Sequence, residues 1–400
     1  MARYQDLTEI FDECADILRP PERLTVSQAA EKYRYINNPG SYVGPYKNDM
    51  APYLIEIMDT LNSSEHTGVA FVKPVQCGGT EATLSWAAYT IVVDPADILL
   101  FHPTQSFCRD FSTRRLDKLI RNTPEMKKRM IPRRDADNKF DKLFRAGIMI
   151  TLSWPSPAET AGRPVGRQAI SDYDRIPDDI GGEGNVFDLV QKRGTTFGRR
   201  AMTFAESTPG REPMDPKWVP DPTKPHQLPP CTGIVQVYNR GDRRHWYWQC
   251  PDCDDWFRPT FDLFVYDDEG SYDERGKTVQ MACPHCGSMH GPEKKHELNK
   301  TGKWIKEGQK IDSDGVIHGK GVQSSVASFH LTGPAAAFAS WSNMVTNYLR
   351  AEEEYERTGS QESLKVFYNT DLGDIYFPRG MEQLRTPEEL MSRAEDLGEF

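Results

Sequence analysis

Residues 69–81, Val-Ala-Phe-Val-Lys-Pro-Val-Gln-Cys-Gly-Gly-Thr-Glu, constrain the fold more than any other stretch of this chain. An apolar run breaks at Gly78-Gly79-Thr80 and resumes as a helical pattern through Trp86 and Tyr89, which predicts a strand, a glycine turn and a helix start. Glycines at such a turn let backbone N–H groups approach an anion, and the helix N-terminus adds partial positive charge. A Thr hydroxyl there can ligate a phosphate-bound Mg²⁺. Lys73, Gln76, Gly78, Gly79, Thr80 and Glu81 are therefore candidate nucleotide-binding residues. The usual phosphate-loop signature places Lys between the last Gly and the Ser or Thr, whereas here the nearest lysine, Lys73, precedes Thr80 by seven positions. Taken alone, the stretch also fits an ordinary strand-to-helix turn with a solvated lysine.

The rest of the chain supplies further strands at the right spacing. Ile98 to Thr104 reads as a short buried strand, followed by a basic helix around Arg109 to Arg121 and another strand from Gly147 to Trp154. Strand and helix alternating in this way predict a parallel sheet with flanking helices, an α/β fold. The apolar segment within Gly162–Arg175 ends in Asp172 and Asp174, and the strand from Arg200 ends in Glu206-Ser207-Thr208-Pro209-Gly210. An acid at the C-terminal end of a parallel strand beside a phosphate loop is where such sheets hold Mg²⁺ or activate water. A solvated acidic turn is the plainer reading of Asp172 and Asp174, and the convergence of three strand ends weighs against it.

Upstream, Leu7–Leu18 and Ser27–Tyr35 read as helices split by Arg19-Pro20-Pro21, with Ser27 as an expected N-cap, and a further helix runs from about Pro52 to Leu61. Tyr46 and Tyr53, just ahead of the loop, are candidates to stack on an adenine, with a core role as the other reading.

Cys250-Pro-Asp-Cys253 and Cys283-Pro-His-Cys286 form two matching knuckles. Each places two sulfurs within reach of one ion, so the pair predicts a four-thiolate Zn²⁺ site. The segment between them, residues 254–282, is longer than the roughly 15–20 residues usual for such pairs and implies a ribbon with a long hairpin. Nothing at the N-terminus resembles a secretion signal, and a reducing compartment favours metal over disulfide. Cys14, Cys77, Cys108 and Cys231 have no such pairing and read as small core residues.

Composition narrows the function classes. No run approaches the roughly 18 apolar residues of a membrane span. A net charge of -10 argues against coating nucleic acid by bulk electrostatics, while a local basic channel lined by Arg114-Arg115, Arg133-Arg134, Arg199-Arg200 or Arg243-Arg244 stays open.

In combination, the chain resembles the large terminase subunit of tailed bacteriophages, in the lambda-like branch, over nearly its full length. The resemblance rests on Pro52-Tyr-Leu, Met58-Asp-Thr-Leu, Lys73-Pro-Val-Gln-Cys-Gly-Gly-Thr-Glu81, His102-Pro-Thr104, Arg163-Pro-Val, Tyr173-Asp-Arg-Ile-Pro177 and Ser207-Thr-Pro209, continuing through Cys283-Pro-His-Cys-Gly, Phe329-His-Leu and Phe367-Tyr-Asn-Thr. In that family the loop lysine sits early, so Lys73 matches. The resemblance implies a P-loop NTPase of the ASCE/RecA-like class with a four-cysteine zinc-ribbon insertion. Its activity would be ATP hydrolysis that drives double-stranded DNA into a procapsid in the host cytoplasm, with ATP, Mg²⁺ and Zn²⁺ bound. Lys73 would join Asp172 and Asp174 in catalysis, and Ser207-Thr208-Pro209 would couple hydrolysis to movement. Arg114, Arg115, Arg163 and Arg167 are candidates for an arginine supplied in trans within a homo-oligomeric ring. A small terminase subunit and a portal are the other implied partners.

The match departs at the acidic strand, where the family pattern of Asp then Glu falls on Ser171 and Asp172. That departure supports a second reading, a non-catalytic or weakly catalytic assembly module that binds DNA or procapsid. A zinc-ribbon helicase-like ATPase is a third, and the order of motifs argues against it. The implied layout is an N-terminal helical segment, 1–45, for small-subunit contact, an ATPase core, 46–240, and a zinc ribbon, 241–300. The end of the ATPase region follows at 301–378, then the start of a linker at 379–400. Nuclease activity is not expected, since the family's metal-dependent nuclease would begin about where this chain stops; it reads as an isolated or naturally shortened motor portion.

Overall fold

A computed structural model describes residues 22–132, 136–160, 162 and 164–380. The expected Leu7–Leu18 helix, Cys14, Arg133-Arg134, Arg163 and the segment from 381 onward lie outside the described residues.

Ten strands make one large sheet: β1 Gly68–Val72, β2 Ile98–Phe101, β3 Asp141–Leu143, β4 Met149–Ser153, β5 Arg167–Ser171, β6 Met202–Ser207, β7 Arg244–Gln249, β8 Trp256–Phe257, β9 Lys303–Lys306 and β10 Val326–His330. Their order is β8-β7-β10-β1-β6-β5-β2-β4-β3, with β9 also paired to β7. Neighbours are parallel from β7 through β4 and antiparallel where β3, β8 and β9 join. The mixed α/β class with a mostly parallel central sheet is therefore present, as expected from the strand spacing.

Every residue of β1, β2, β5, β6 and β10 is buried, as strands covered on both faces are, and β1 and β2 are written as continuous apolar runs. Alternation sorts their side chains between two cores. Val69 and Phe71 of β1, Ala169 of β5 and Phe204 of β6 join the core that contains Trp86, while Ala70, Val72, Ile170 and Ala205 face the other. The helix after the glycine turn, Gly79–Val92, is buried on nearly all sides, with Trp86 fully enclosed.

One local expectation is corrected. The helix Val26–Tyr33 is capped by Thr25, whose hydroxyl accepts from Gln28 N–H at 3.3 Å in a capping box, because Ser27 is occupied elsewhere. The Ser27 N–H and hydroxyl both donate to Asp59, at 2.9 and 3.0 Å.

The cysteine-bearing region does not stand apart from the sheet. β7, which ends one residue before Cys250, pairs with β10, and β9 pairs with β7, so sheet strands lie inside and beside the 241–300 interval. The small sheet Phe264–Val265, Gln280–Ala282 and Met289–His290 completes the ribbon. Asn299 Oδ1 accepts from both Trp246 and Trp248 indole N–H groups at 3.0 Å, fixing the helix Lys295–Thr301 against β7. No helix among the described residues is long and apolar enough to cross a membrane.

Candidate functional site

β6 lies between β1 and β5, although it comes after both in the chain. That order brings together three loops at the C-terminal end of the sheet: residues 73–79, the turn opened by Asp172, and Ser207-Thr208-Pro209. Such a convergence is where open α/β sheets bind ligands.

The loop after β1 is held from several directions. The Lys73 N–H donates to Ser207 O at 3.1 Å, carrying the β1–β6 ladder one step into the loop, and the Val75 N–H donates to Thr370 O at 2.8 Å. Gln76 (φ 56°) and Gly78 (φ 91°) take the left-handed conformation that the reversal requires. No side chain caps the first turn of the helix Gly79–Val92, leaving its N-terminus to face the loop. Gly79 is needed for space, because a Cβ there would stand 2.5 Å from Lys73 Cε and 3.0 Å from Glu206 Oε2.

Lys73 Nζ stands 3.0 Å from Glu206 Oε2, both side chains being almost fully enclosed. Burial alone pushes the Lys73 ammonium down, but Glu206, then the Cys77 thiol and the Asp172 carboxylate, overcome it and hold the lysine above its usual range. Glu206 is the site residue that reading the sequence overlooks. Its signal is a lone acid in the otherwise uncharged, buried strand Met202–Ser207.

Asp172 has φ 52° and opens the turn Tyr173–Arg175. Burial, then the charge of Glu206, pushes its carboxyl up, and Lys73 and Arg175 oppose them. The same turn directs Asp174, the other candidate for catalysis, to the backbone. Its Oδ2 accepts from Gly210 N–H at 2.7 Å and its Oδ1 from Ile234 N–H at 2.6 Å, while its own N–H donates to Ser207 Oγ at 3.1 Å. Burial pushes its carboxyl up to about 6.

Tyr46 and Tyr53 are core residues, not stacking surfaces. Tyr46 is buried under the Arg34 guanidinium, 5.1 Å from its ring, and the Tyr53 hydroxyl donates to Cys77 O at 2.8 Å and accepts from Ala337 N–H at 3.1 Å. A cavity of about 360 Å³ lined by Met50, His296, Ala337 and the exposed Phe338 lies beside that tie. Glu81 is paired with Arg34 at 2.6 Å, joining the N-terminal helix to the loop helix, and Thr80 is half-buried beside Gly79.

Among the arginines, Arg167 is excluded from reaching a neighbouring subunit. It is buried at the start of β5, away from the loop end of the sheet, bound to the Asp94 carboxylate and, at 3.1 Å, to Thr90 Oγ1. Arg114 is exposed and paired with Asp110 at 2.5 Å, and half-exposed Arg115 stands 3.9 Å from Glu81.

The four knuckle cysteines converge with their sulfurs within 4.8 Å of one another. Cys250 and Cys286 sulfurs are 3.8 Å apart and those of Cys253 and Cys283 are 3.9 Å apart. A tetrahedral ion with bonds of about 2.3 Å to sulfur requires separations of about 3.8 Å, so the residues fit zinc. His290 Nε2 is 3.6 Å from Cys250 Sγ, a neighbour that the knuckle spacing does not reveal.

Fold and site together define a parallel-sheet protein with a glycine turn, a buried lysine and two carboxylates gathered at one end. The family profile for the phage terminase large subunit gpA, ATPase domain, matches residues 40–304, and the chain belongs to that family. A second profile, terminase large subunit gpA, endonuclease domain, matches residues 326–400. The expectation that this chain carries nothing of the cleaving domain is thereby overturned. That second match begins with β10, an interior strand of the large sheet. The terminase large subunit of Enterobacteria phage P21 is 24% identical over 377 residues, covering 89% of this chain and 53% of that protein. The chain thus spans about half the length of that relative. Among solved structures, the Thermus phage P74-26 large terminase ATPase domain shares 11% identity over 84% of this chain and 95% of that one, with a TM-score of 0.39. The HK97 bacteriophage large terminase shares 10% identity over 46% and 37%, with a TM-score of 0.36. Both scores are too low to carry an argument.

Proposed function

We propose that this chain is the ATP-hydrolysing part of a DNA-packaging motor. The observation that carries this reading is the gathering of Lys73, Asp172 and Ser207 at the ends of three adjacent parallel strands, in a chain of the terminase ATPase family. Backbone amides of residues 76–80 bind the triphosphate, aided by the uncapped helix N-terminus. Thr80 would hold Mg²⁺, which when bound offsets charge on the transferred phosphate. Lys73 turns from Glu206 to the phosphate oxygens, and Asp172 orients the attacking water and takes its proton.

Movement is passed on through Ser207, whose carbonyl already accepts from the Lys73 N–H and whose hydroxyl accepts from the Asp174 N–H. The working assembly is a homo-oligomeric ring on the portal of a procapsid in the host cytoplasm, fed double-stranded DNA with a small subunit. Arg114, Arg115 or Arg163 supplies the arginine in trans. Zn²⁺ on Cys250, Cys253, Cys283 and Cys286 fixes the ribbon.

ATP turnover by the purified protein, with and without linear DNA and portal, tests the reading. Turnover that rises with DNA and is abolished in Asp172→Asn is expected. No turnover in any assembly state would overturn it.

A further inference from the structure

Ser171, an uncharged residue at the end of β5, is the parallel register partner of Glu206 on β6. Register partners in parallel strands point to the same face, and both follow residues of the Trp86-side core, Ala169 and Phe204, by two positions. Ser171 Oγ and Glu206 Oε2 are both buried without a hydrogen bond, and the ion pair with Lys73 is the carboxylate's partner. An enclosed carboxylate whose charge is balanced by one lysine is left uncompensated when that lysine turns away, so a cation has to replace it. The carboxylate also lies against the place where a Cβ of Gly79 would be, next to Thr80.

We propose that Glu206 supplies, from the neighbouring strand, the cation-holding carboxylate that position 171 lacks. The inference rests on the nucleotide reading of this site. Two carboxylates, Asp172 and Glu206, then share one lysine, and a divalent cation arriving with a triphosphate takes over the charge balance as Lys73 moves to the phosphates. The alternative is that Glu206 serves only as a structural counter-ion for Lys73.

The test is binding of a fluorescent ATP analogue to the full chain across a Mg²⁺ series and in EDTA, read as the ratio of affinities with and without Mg²⁺. Glu206→Gln is expected to shrink that ratio about tenfold or more, and Ser171→Asp in the Glu206→Gln background to restore most of it. An unchanged ratio in a folded Glu206→Gln protein overturns the proposal, as does a double variant that folds and does not recover. Should Glu206→Gln fail to fold, Glu206→Asp decides: the shortened carboxylate raises the half-saturating Mg²⁺ several-fold, and no change overturns the idea. Wild-type protein that binds no nucleotide at all would sink the nucleotide reading and this inference with it, whereas Mg²⁺-dependent binding indifferent to residue 206 would sink the inference alone.

Discussion

Gly373 faces the peptide that joins Lys73 to Pro74 so closely that a Cβ on it would stand 2.6 Å from the Pro74 nitrogen and 2.8 Å from the Lys73 carbonyl carbon. The end of the turn Phe367–Leu372 therefore braces the first residues of the 73–79 loop. Gly373→Ala is expected to cost more than the roughly 1 kcal/mol of its left-handed backbone (φ 69°) and to weaken nucleotide binding. Gly359→Ala (φ 73°), with nothing within 4 Å, should show the backbone cost alone. Thermal melts and nucleotide titrations of the two variants check this; equal effects would refute the bracing role.

Removing the lysine should act twice. Lys73→Ala deletes the charge that meets the transferring phosphate, so DNA-stimulated hydrolysis is expected to fall about 100-fold or more. It also strands Glu206, and breaking a buried pair costs about 3–5 kcal/mol. Adding Glu206→Gln should recover much of the stability and none of the turnover. Denaturant melts and ATPase rates separate the two effects.

Asp174 makes stability depend on pH. Its carboxyl is pushed from 3.8 to about 6, so the folded protein binds this proton more tightly than the unfolded chain. The group's stabilising contribution is complete below pH 3.8 and is lost as pH rises through 6, a change of at most about 3 kcal/mol. Asp174→Asn cannot titrate. Its stability relative to wild type should therefore shift in its favour between about pH 4.5 and pH 7.5, and a difference that stays flat would refute the shifted titration.

Metal analysis of chelator-free protein should find about one zinc per chain. Binding free energies of about 10–16 kcal/mol imply that stripping the ion unfolds the ribbon locally. Trp248 and Trp256, beside the cysteines in sequence, provide a fluorescence readout. Cys283→Ser should reproduce the stripped spectrum.

The strands of the parallel sheet are legible in the sequence because both faces are buried, which writes Val69–Val72 and Ile98–Phe101 as unbroken apolar runs. Paired cysteines are legible because knuckle spacing is local. What cannot be read is which strands become neighbours. Ser171 and Glu206 are 35 positions apart, and only the insertion of β6 between β1 and β5 sets them side by side. The same limit hides the role of Asp174, whose partners Gly210 and Ile234 come from distant loops. Tyr46 and Tyr53 take the core role that the sequence favours over stacking, and their burial shows it.

The pairing of β7 with β10 has one more consequence. β10 stands beside β1, and β7 covers part of its other side and pairs in turn with β8 and β9, so the cysteine region grows out of the strand next to β10. Cutting the chain to remove 241–300 as if it were a detachable module would bare a flat, apolar rim of unpaired N–H and C=O groups one strand away from the phosphate loop. Such a rim recruits strands from other molecules. Shortened versions should therefore self-associate through β10, and the ribbon guards the protein against aggregation whatever else it does.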